Sequence, residues 1–307
     1  VYDHCAHTCY RGFRCLCLAW SDGVSTVPID FALLSSADPK KRHREASAAV
    51  DKRRCGYRRR IEAQRHATDL LESMVKRALR AGIRARYILM DSWFAFPGTI
   101  QKICDRGLHV ICMLKALPTV KYDFNGQVLT LKQLYAAVRK RPGRARILAS
   151  LTVTLVKDAQ GLPIKAKIVF VRDRRNSGKW LALLSTDLTL SDEEVVRIYG
   201  KRWDIEVFFK MTKSYLNLAK EFQGRSYDMM VAHTSIVFMR YVMLAWLSRE
   251  EADPRTLGNL FYACCDELQD LSFTSALAML LDLLKRAIKS FLFLTDEIAD
   301  KLFALFT

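Results

Sequence analysis

The sequence predicts a mixed α/β fold, and three observations carry that prediction. Tyr87-Ile88-Leu89-Met90 is a short apolar run ending in Asp91. A helix over about 97–106 and the strand HVICMLK (109–115) follow it, giving a strand–helix–strand unit. Residues 118–188 alternate like antiparallel strands, and from Ser191 the periodicity turns helical and stays so to the end.

Residues 10–20 (YRGFRCLCLAW) and 26–34 (TVPIDFALL) read as two strands joined by the turn Ser21-Asp22-Gly23, a hairpin signal. The segment 40–65 holds eleven Lys/Arg against three acidic residues and reads as a basic loop entering a helix over about 62–81. Bulk attraction for phosphate and a merely solvated charge run are both open readings of it. Between 118 and 188 the turn signals Asn125-Gly126, Pro142-Gly143 and Gln160-Gly161 separate strand-like runs, a β-rich insertion. Ser191-x-x-Glu194 is a capping box that starts the next helix. The organisation expected is a core of residues 1–117 and 189–225, the insertion 118–188, and a helical C-terminal region 226–307.

At 307 residues, half of them hydrophobic, the chain can bury a sizeable core. Its net charge of +17 attracts polyanions, nucleic acid foremost. The apolar stretch 229–247 has the length of a membrane span, but Arg240 and His233 lie inside it. Such a charge costs several kcal/mol in a bilayer, so the stretch reads as a buried helix and no membrane partner is expected. No secretory signal opens the chain, and nine scattered cysteines make no disulfide framework; both fit a cytoplasmic protein.

Residues 199–213, YGKRWDIEVFFKMTK, carry the sharpest pattern. On one helix at about 100° per residue, with Tyr199 at zero, Arg202 falls at about 300°, Glu206 at about 340°, Lys213 at about 320° and Lys210 at about 20°. Trp203, Val196 and Val207 flank this stripe on one side, and Phe209, Ile198 and Ile205 on the other. Glu193, Arg197, Lys201 and Asp204 form an opposite polar face, with Phe208 the exception. One carboxylate among several cations and a tyrosine suits a metal-bound phosphate. The plain alternative is a run of i,i+4 ion pairs on a solvated face. Asp91 emerges at the end of a buried strand, where ligand sites of α/β sheets gather, or else caps the following turn.

The spacing Y-x2-R-x3-E-x6-K, with the blocks WSDGVSTVPIDFALLSS (20–36), YILMDSWFAFP (87–97) and YGKRWDIEVFFK (199–210) in that order, resembles the DDE transposases of bacterial insertion sequences. The resemblance spans residue 1 to about 285. It implies an RNase H-like core in which Asp91 and Glu206 are the second and third catalytic acids and ligate two Mg²⁺ ions, with Mn²⁺ as a substitute. It also implies that Tyr199, Arg202 and Lys213 grip DNA phosphates, and Lys210 joins them on the same stripe. The implied partners are transposon-end and target DNA and a second copy of the chain in a synaptic complex, in the bacterial cytoplasm at the nucleoid. The implied reaction is end cleavage followed by strand transfer, with or without a hairpin intermediate. The family's first catalytic aspartate sits on a strand upstream of the block that here begins Val1-Tyr2-Asp3-His4, and Asp3 and Asp22 are the nearby acids. The chain alone is therefore expected not to transpose. The alternatives are a non-catalytic DNA-binding or dimerising remnant and another RNase H-like nuclease. Three further features stand: Cys5-x3-Cys9, a tolerable zinc spacing without a second pair; Cys264-Cys265, part of a packed helix; and Trp180, either core or a platform for an extruded base.

Overall fold

A computed structural model of the chain describes residues 2–3, 7–9, 12–42, 49–157, 163–173, 176, 178–220, 223–224, 226–250, 256–269 and 273–292. It divides into two compact units, Val1–Val242 and Met243–Thr307.

In the first unit the strands β1 (Tyr2–Asp3) and β2 (Thr8–Cys9) pair with each other. The predicted hairpin follows as β3 (Arg14–Ser21) and β4 (Thr26–Leu34), antiparallel, with a bulge at Ile29 between the Leu18–Asp30 and Ala19–Pro28 pairs. Its turn depends on Gly23 at φ 94° and on Asp22, which accepts hydrogen bonds from the Val24 and Ser25 amides at 2.9 and 2.8 Å.

The single helix predicted over 62–81 is instead two, α1 (Cys55–Ala63) and α2 (Ala67–Arg80), so helix begins inside the basic segment. Internal acids make that possible by neutralising the inward-facing arginines. Arg59 and Arg77 pair with Asp30 at 3.4 and 2.7 Å, Arg77 also pairs with Glu62, and the buried Arg60 pairs with Asp228 at 2.9 Å. These arginines hold the fold together, while Lys40, Lys41, Lys52, Arg53, Arg54 and Arg58 remain exposed. Residues 43–48 of the same segment lie outside the described residues.

Next come β5 (Tyr87–Met90), α3 (Pro97–Cys104) and β6 (His109–Leu114), with β5 and β6 parallel as a strand–helix–strand unit requires. Residues 118–188 supply β7 (Lys121–Phe124), β8 (Gln127–Thr130), α4 (Leu131–Ala137), β9 (Ile147–Lys157), β10 (Pro163–Arg172) and β11 (Trp180–Ser185). The β7–β8 turn places Asn125 and Gly126 at φ 54° and 82°, as a type I′ hairpin demands. Helix α4 was hidden from the strand-like reading, although Thr130 and Gln133 cap it reciprocally. The Gln160-Gly161 turn signal lies outside the described residues.

All of these strands join β5 and β6 in one seven-stranded mixed sheet, ordered β5-β6-β11-β10-β9-β7-β8. Residues alternate between its two faces except at a bulge in β9, where Leu148 and Ala149 join the same side. Val110, Cys112, Ile168, Phe170 and Leu184 meet α2, α3 and α4 through Leu71, Val75, Ile100, Ile103, Leu131 and Leu134. Ile111, Val169, Val171 and Leu183 face the other way, toward Val195, Ile198 and Tyr199. One helix serves two sheets: Leu70 and Met74 of α2 pack on Ala32 and Leu34 of β4, while Leu71 and Val75 pack on the large sheet. Trp180 packs on this core, its ring stacked on Tyr135 at 4.7 Å and edge-on to Phe170 at 5.1 Å, and so is a packing residue rather than a platform for a base.

The predicted capping box opens α5 (Asp192–Gly200): Ser191 Oγ accepts from the Glu194 amide and Glu194 accepts from the Ser191 amide. The helix does not run straight on. A 3-10 turn, Lys201–Trp203, separates it from α6 (Asp204–Ser214). At about 120° per residue against about 100°, three such residues rotate the second helix by roughly 60° relative to a single wheel. Phe208, the misfit of the predicted polar face, is therefore fully buried, while Trp203 and Val207 of the predicted apolar flank are exposed. Phe208 packs edge-on against Phe238 (4.9 Å) and Tyr241 (4.7 Å) of α7 (Tyr227–Glu250).

On length and composition α7 is long and apolar enough to cross a membrane, yet Tyr227, Thr234, Val237, Phe238 and Tyr241 form a buried stripe along its part in this unit. The second unit holds the remainder of α7, α8 (Leu257–Gln269) and α9 (Phe273–Leu292). Cys264 lies on α8, and the side chain of Cys265 lies outside the described residues.

Candidate functional site

Strand β5 delivers Asp91 half-buried at its C-terminal end, because the apolar run Tyr87–Met90 stops there and the chain turns back into α3. One carboxylate oxygen of Asp91 accepts a hydrogen bond from the Trp93 amide at 2.8 Å, so the turn-capping role expected as an alternative is present. The same carboxylate lies close enough to Arg202 and Tyr199 for its charge to act on both.

Tyr199 lies in the last turn of α5, Arg202 in the 3-10 turn, and Glu206 in the first turn of α6. Arg202 donates to Glu206 Oε1 at 2.6 Å, and its guanidinium lies 5.8 Å from the Tyr199 ring centroid. Burial by itself would lower the Arg202 pKa. The Glu206 hydrogen bond and the neighbouring charges, Asp91 among them, outweigh it and raise the value. Burial raises the Tyr199 pKa, with Arg202 opposing, so the phenol keeps its proton. Its hydroxyl is buried and has no well-aligned hydrogen-bond partner among the described residues.

The structure thus brings Tyr199 and Glu206 onto the Arg202 guanidinium, and Asp91 lines the same cleft as Arg202. Lys213 stands apart, exposed at the end of α6 and close enough to β3 for its charge to oppose the rise of the Cys15 thiol pKa, which burial still carries to about 12. Lys210 is exposed on α6.

A cleft of about 640 Å³ opens beside this centre, and Asp91 and Arg202 both line it. Its walls are β3, from Leu16 to Ser21, and β5 with the residues before it, from Arg84 to Asp91. Among the described residues β3 pairs only with β4 and β5 only with β6, so each turns an unpaired edge to this space. Trp20 Nε1 ties the two walls at one end by donating to the Arg84 carbonyl at 3.0 Å. Lys201 donates to the Gly23 carbonyl at 2.7 Å and fixes the 3-10 turn to the hairpin tip.

Among the described residues no three His, Cys, Asp or Glu side chains converge, Glu206 is engaged by Arg202, and Asp91 uses one oxygen on its own turn. Two carboxylates, one bonded to Arg202 and one to its own turn, do not fit the expected pair of Mg²⁺ ions, which needs more oxygen ligands. Asp22 is occupied by its hairpin turn. The side chain of Asp3, with Cys5 and the proposed zinc pair, lies outside the described residues.

Sequence reasoning missed the far end of β5, where Arg86 and Tyr87 hold Asp187 at 2.9 and 2.8 Å, because Ser185-Thr186-Asp187 carries no spacing that points back a hundred residues. It also missed Trp93, which is 60 % exposed two residues after Asp91; a large aromatic beside a strand-end acid was the available signal.

Comparison with known proteins bears on what this arrangement serves. Residues 35–243 match the family model for the transposase DDE domain, which in general uses divalent metal ions. Over 81 residues the chain is 31 % identical to a curated protein of Geobacillus stearothermophilus, "Probable transposase for insertion sequence element IS5377". That match covers 26 % of this chain and 21 % of the relative, so it spans about a fifth of the relative's length. With the family model covering more than half of its length, including both Asp91 and Glu206, this chain belongs to the DDE transposase family.

Proposed function

We propose that this chain binds DNA at insertion-sequence ends through the centre around Arg202, on an RNase H-like core, and that it does not cleave DNA by itself. One observation carries the reading: Arg202, hydrogen-bonded to the acid on α6, lines the same cleft as the acid at the end of β5. A phosphodiester arriving there meets Arg202, set against the Tyr199 ring, while the exposed Lys210 and Lys213 extend the positive track along α6. Asp91 and Glu206 act as metal-binding acids of the family reaction only when a further acid joins them. The space between the free edges of β3 and β5 suits one more strand, supplied in cis or in trans, that would bring such an acid beside Asp91. Two copies of the chain would hold two ends together in a synaptic complex at the bacterial nucleoid.

The test is a cleavage and gel-shift assay on end DNA with Mg²⁺ or Mn²⁺. Binding without cleavage is expected, and metal-dependent cleavage by this chain alone would overturn the reading. The shortage of ligands also favours a second reading, a DNA-binding remnant that never cleaves. Adding an extended peptide that ends in an acid separates the two: restored cleavage supports the first, and binding that stays without cleavage supports the second.

A further inference from the structure

A second cleft, of about 650 Å³, lies across the Asp91–Trp93 turn from the one described above. Among the described residues its lining contains Arg14, Lys41, Arg65, His66 and Lys115 and no Asp or Glu. Arg14 and Lys115 are exposed and have no acidic partner among the described residues. That contrasts with Arg59, Arg60 and Arg77, whose charges are spent on internal acids. The first residues of α2, Ala67 and Thr68, form part of the wall, and no side chain caps that helix, so its amides and dipole add to the positive field. Two aromatic rings stand in the same cleft. Trp93 is 60 % exposed and Phe96 41 %, and Arg14 lies 5.8 Å from the Trp93 ring centroid.

Exposed indole in water is unfavourable, and Arg14 and Lys115 lack the acid that Lys41 finds in Asp38, so both features call for one ligand with flat apolar faces and regular negative charge. A duplex hides its base faces; an unpaired strand offers them. We propose that this cleft binds a single-stranded DNA segment, with a base stacked on Trp93 and its phosphates on Arg14, Lys115 and the start of α2. The inference deepens the DNA-binding reading and rests on it. Ser92 and Trp93 line this cleft while Asp91 lines the other, so the turn between them lets a strand held here pass its next phosphate to the Arg202 centre. The site is a separated-strand path beside the charged centre.

The experiment measures binding of an oligo-thymidine strand of about eight nucleotides and of duplex end DNA by fluorescence polarisation, with Trp93→Ala, Trp93→Phe and Lys115→Glu. Trp93→Ala is expected to weaken strand binding about tenfold, in line with loss of one stacked base, and to change duplex binding less than about twofold. Trp93→Phe should recover most of the loss, and Lys115→Glu should weaken strand binding and flatten its salt dependence. If the alanine variant does not fold, the phenylalanine and glutamate variants decide the matter between them. Strand binding unaltered by Trp93→Ala and Lys115→Glu overturns this inference alone, as does a parent chain that binds duplex and not the strand. A parent chain that binds neither removes the DNA-binding reading as well.

Discussion

Strand β5 has an aspartate at each end, and the two are held very differently. At its start, Asp187 is 2 % exposed and accepts four hydrogen bonds: from Arg86 and the Tyr87 hydroxyl at 2.9 and 2.8 Å, and from the Thr189 amide and hydroxyl at 3.0 and 2.6 Å. Burial would raise its pKa, but the Thr189 and Tyr87 hydrogen bonds outweigh that and hold it well below the usual carboxylate range. At the end, Asp91 accepts one hydrogen bond among the described residues, from its own turn, and looks toward a guanidinium that is already paired with Glu206. A saturated carboxylate has nothing left to offer a ligand and serves the fold. An unsaturated one beside a shared cation keeps its lone pairs available.

The contrast sorts the expected effects of mutation. Asp187→Ala strands the Tyr87 and Thr189 donors and should cost about 3 kcal/mol of unfolding free energy in a denaturant titration. Asp91→Ala should cost about 1 kcal/mol or less. Equal losses at the two ends would erase the distinction. The pH dependence follows with the same sign. A carboxylate whose folded pKa lies below its unfolded value stabilises the protein above about pH 4, and that contribution is lost as pH falls through the folded value. Asp187→Asn should therefore flatten the acid limb of the stability curve below about pH 4. An unchanged limb would mean that Asp187 does not carry it.

Smaller effects belong to the other end. Arg202→Met should weaken end-DNA binding about tenfold with little change in stability, as loss of a charge-assisted phosphate contact does. Lys210→Ala and Lys213→Ala should each lower affinity about threefold and reduce the salt slope by about one. A larger loss from either lysine than from Arg202 would move the site away from the shared guanidinium and onto the outer face of α6.

The stripe Tyr199, Arg202 and Glu206 was legible because i,i+3 and i,i+4 spacings survive a 3-10 turn. The apolar flank was not, because a single wheel carried across residues 201–203 accumulates the wrong rotation and assigns Phe208 to solvent. The hairpin, β5, α3 and β6 were readable from local alternation and turn residues, each within a few residues of its true ends. Helix α1 was concealed by its own charge: Arg59 and Arg60 look solvated in sequence, and only Asp30 and Asp228, far along the chain, turn them inward. Asp187 and the basic cleft stayed invisible for the same reason, since their partners come from distant segments.

The most direct test of the shared cation is the affinity of Asp91→Asn and Glu206→Gln for end DNA in the presence of a chelator. Without metal both carboxylates compete with phosphate for Arg202, so each neutral variant should bind DNA about three- to tenfold more tightly than the parent. Unchanged or weaker binding by both would contradict the arrangement.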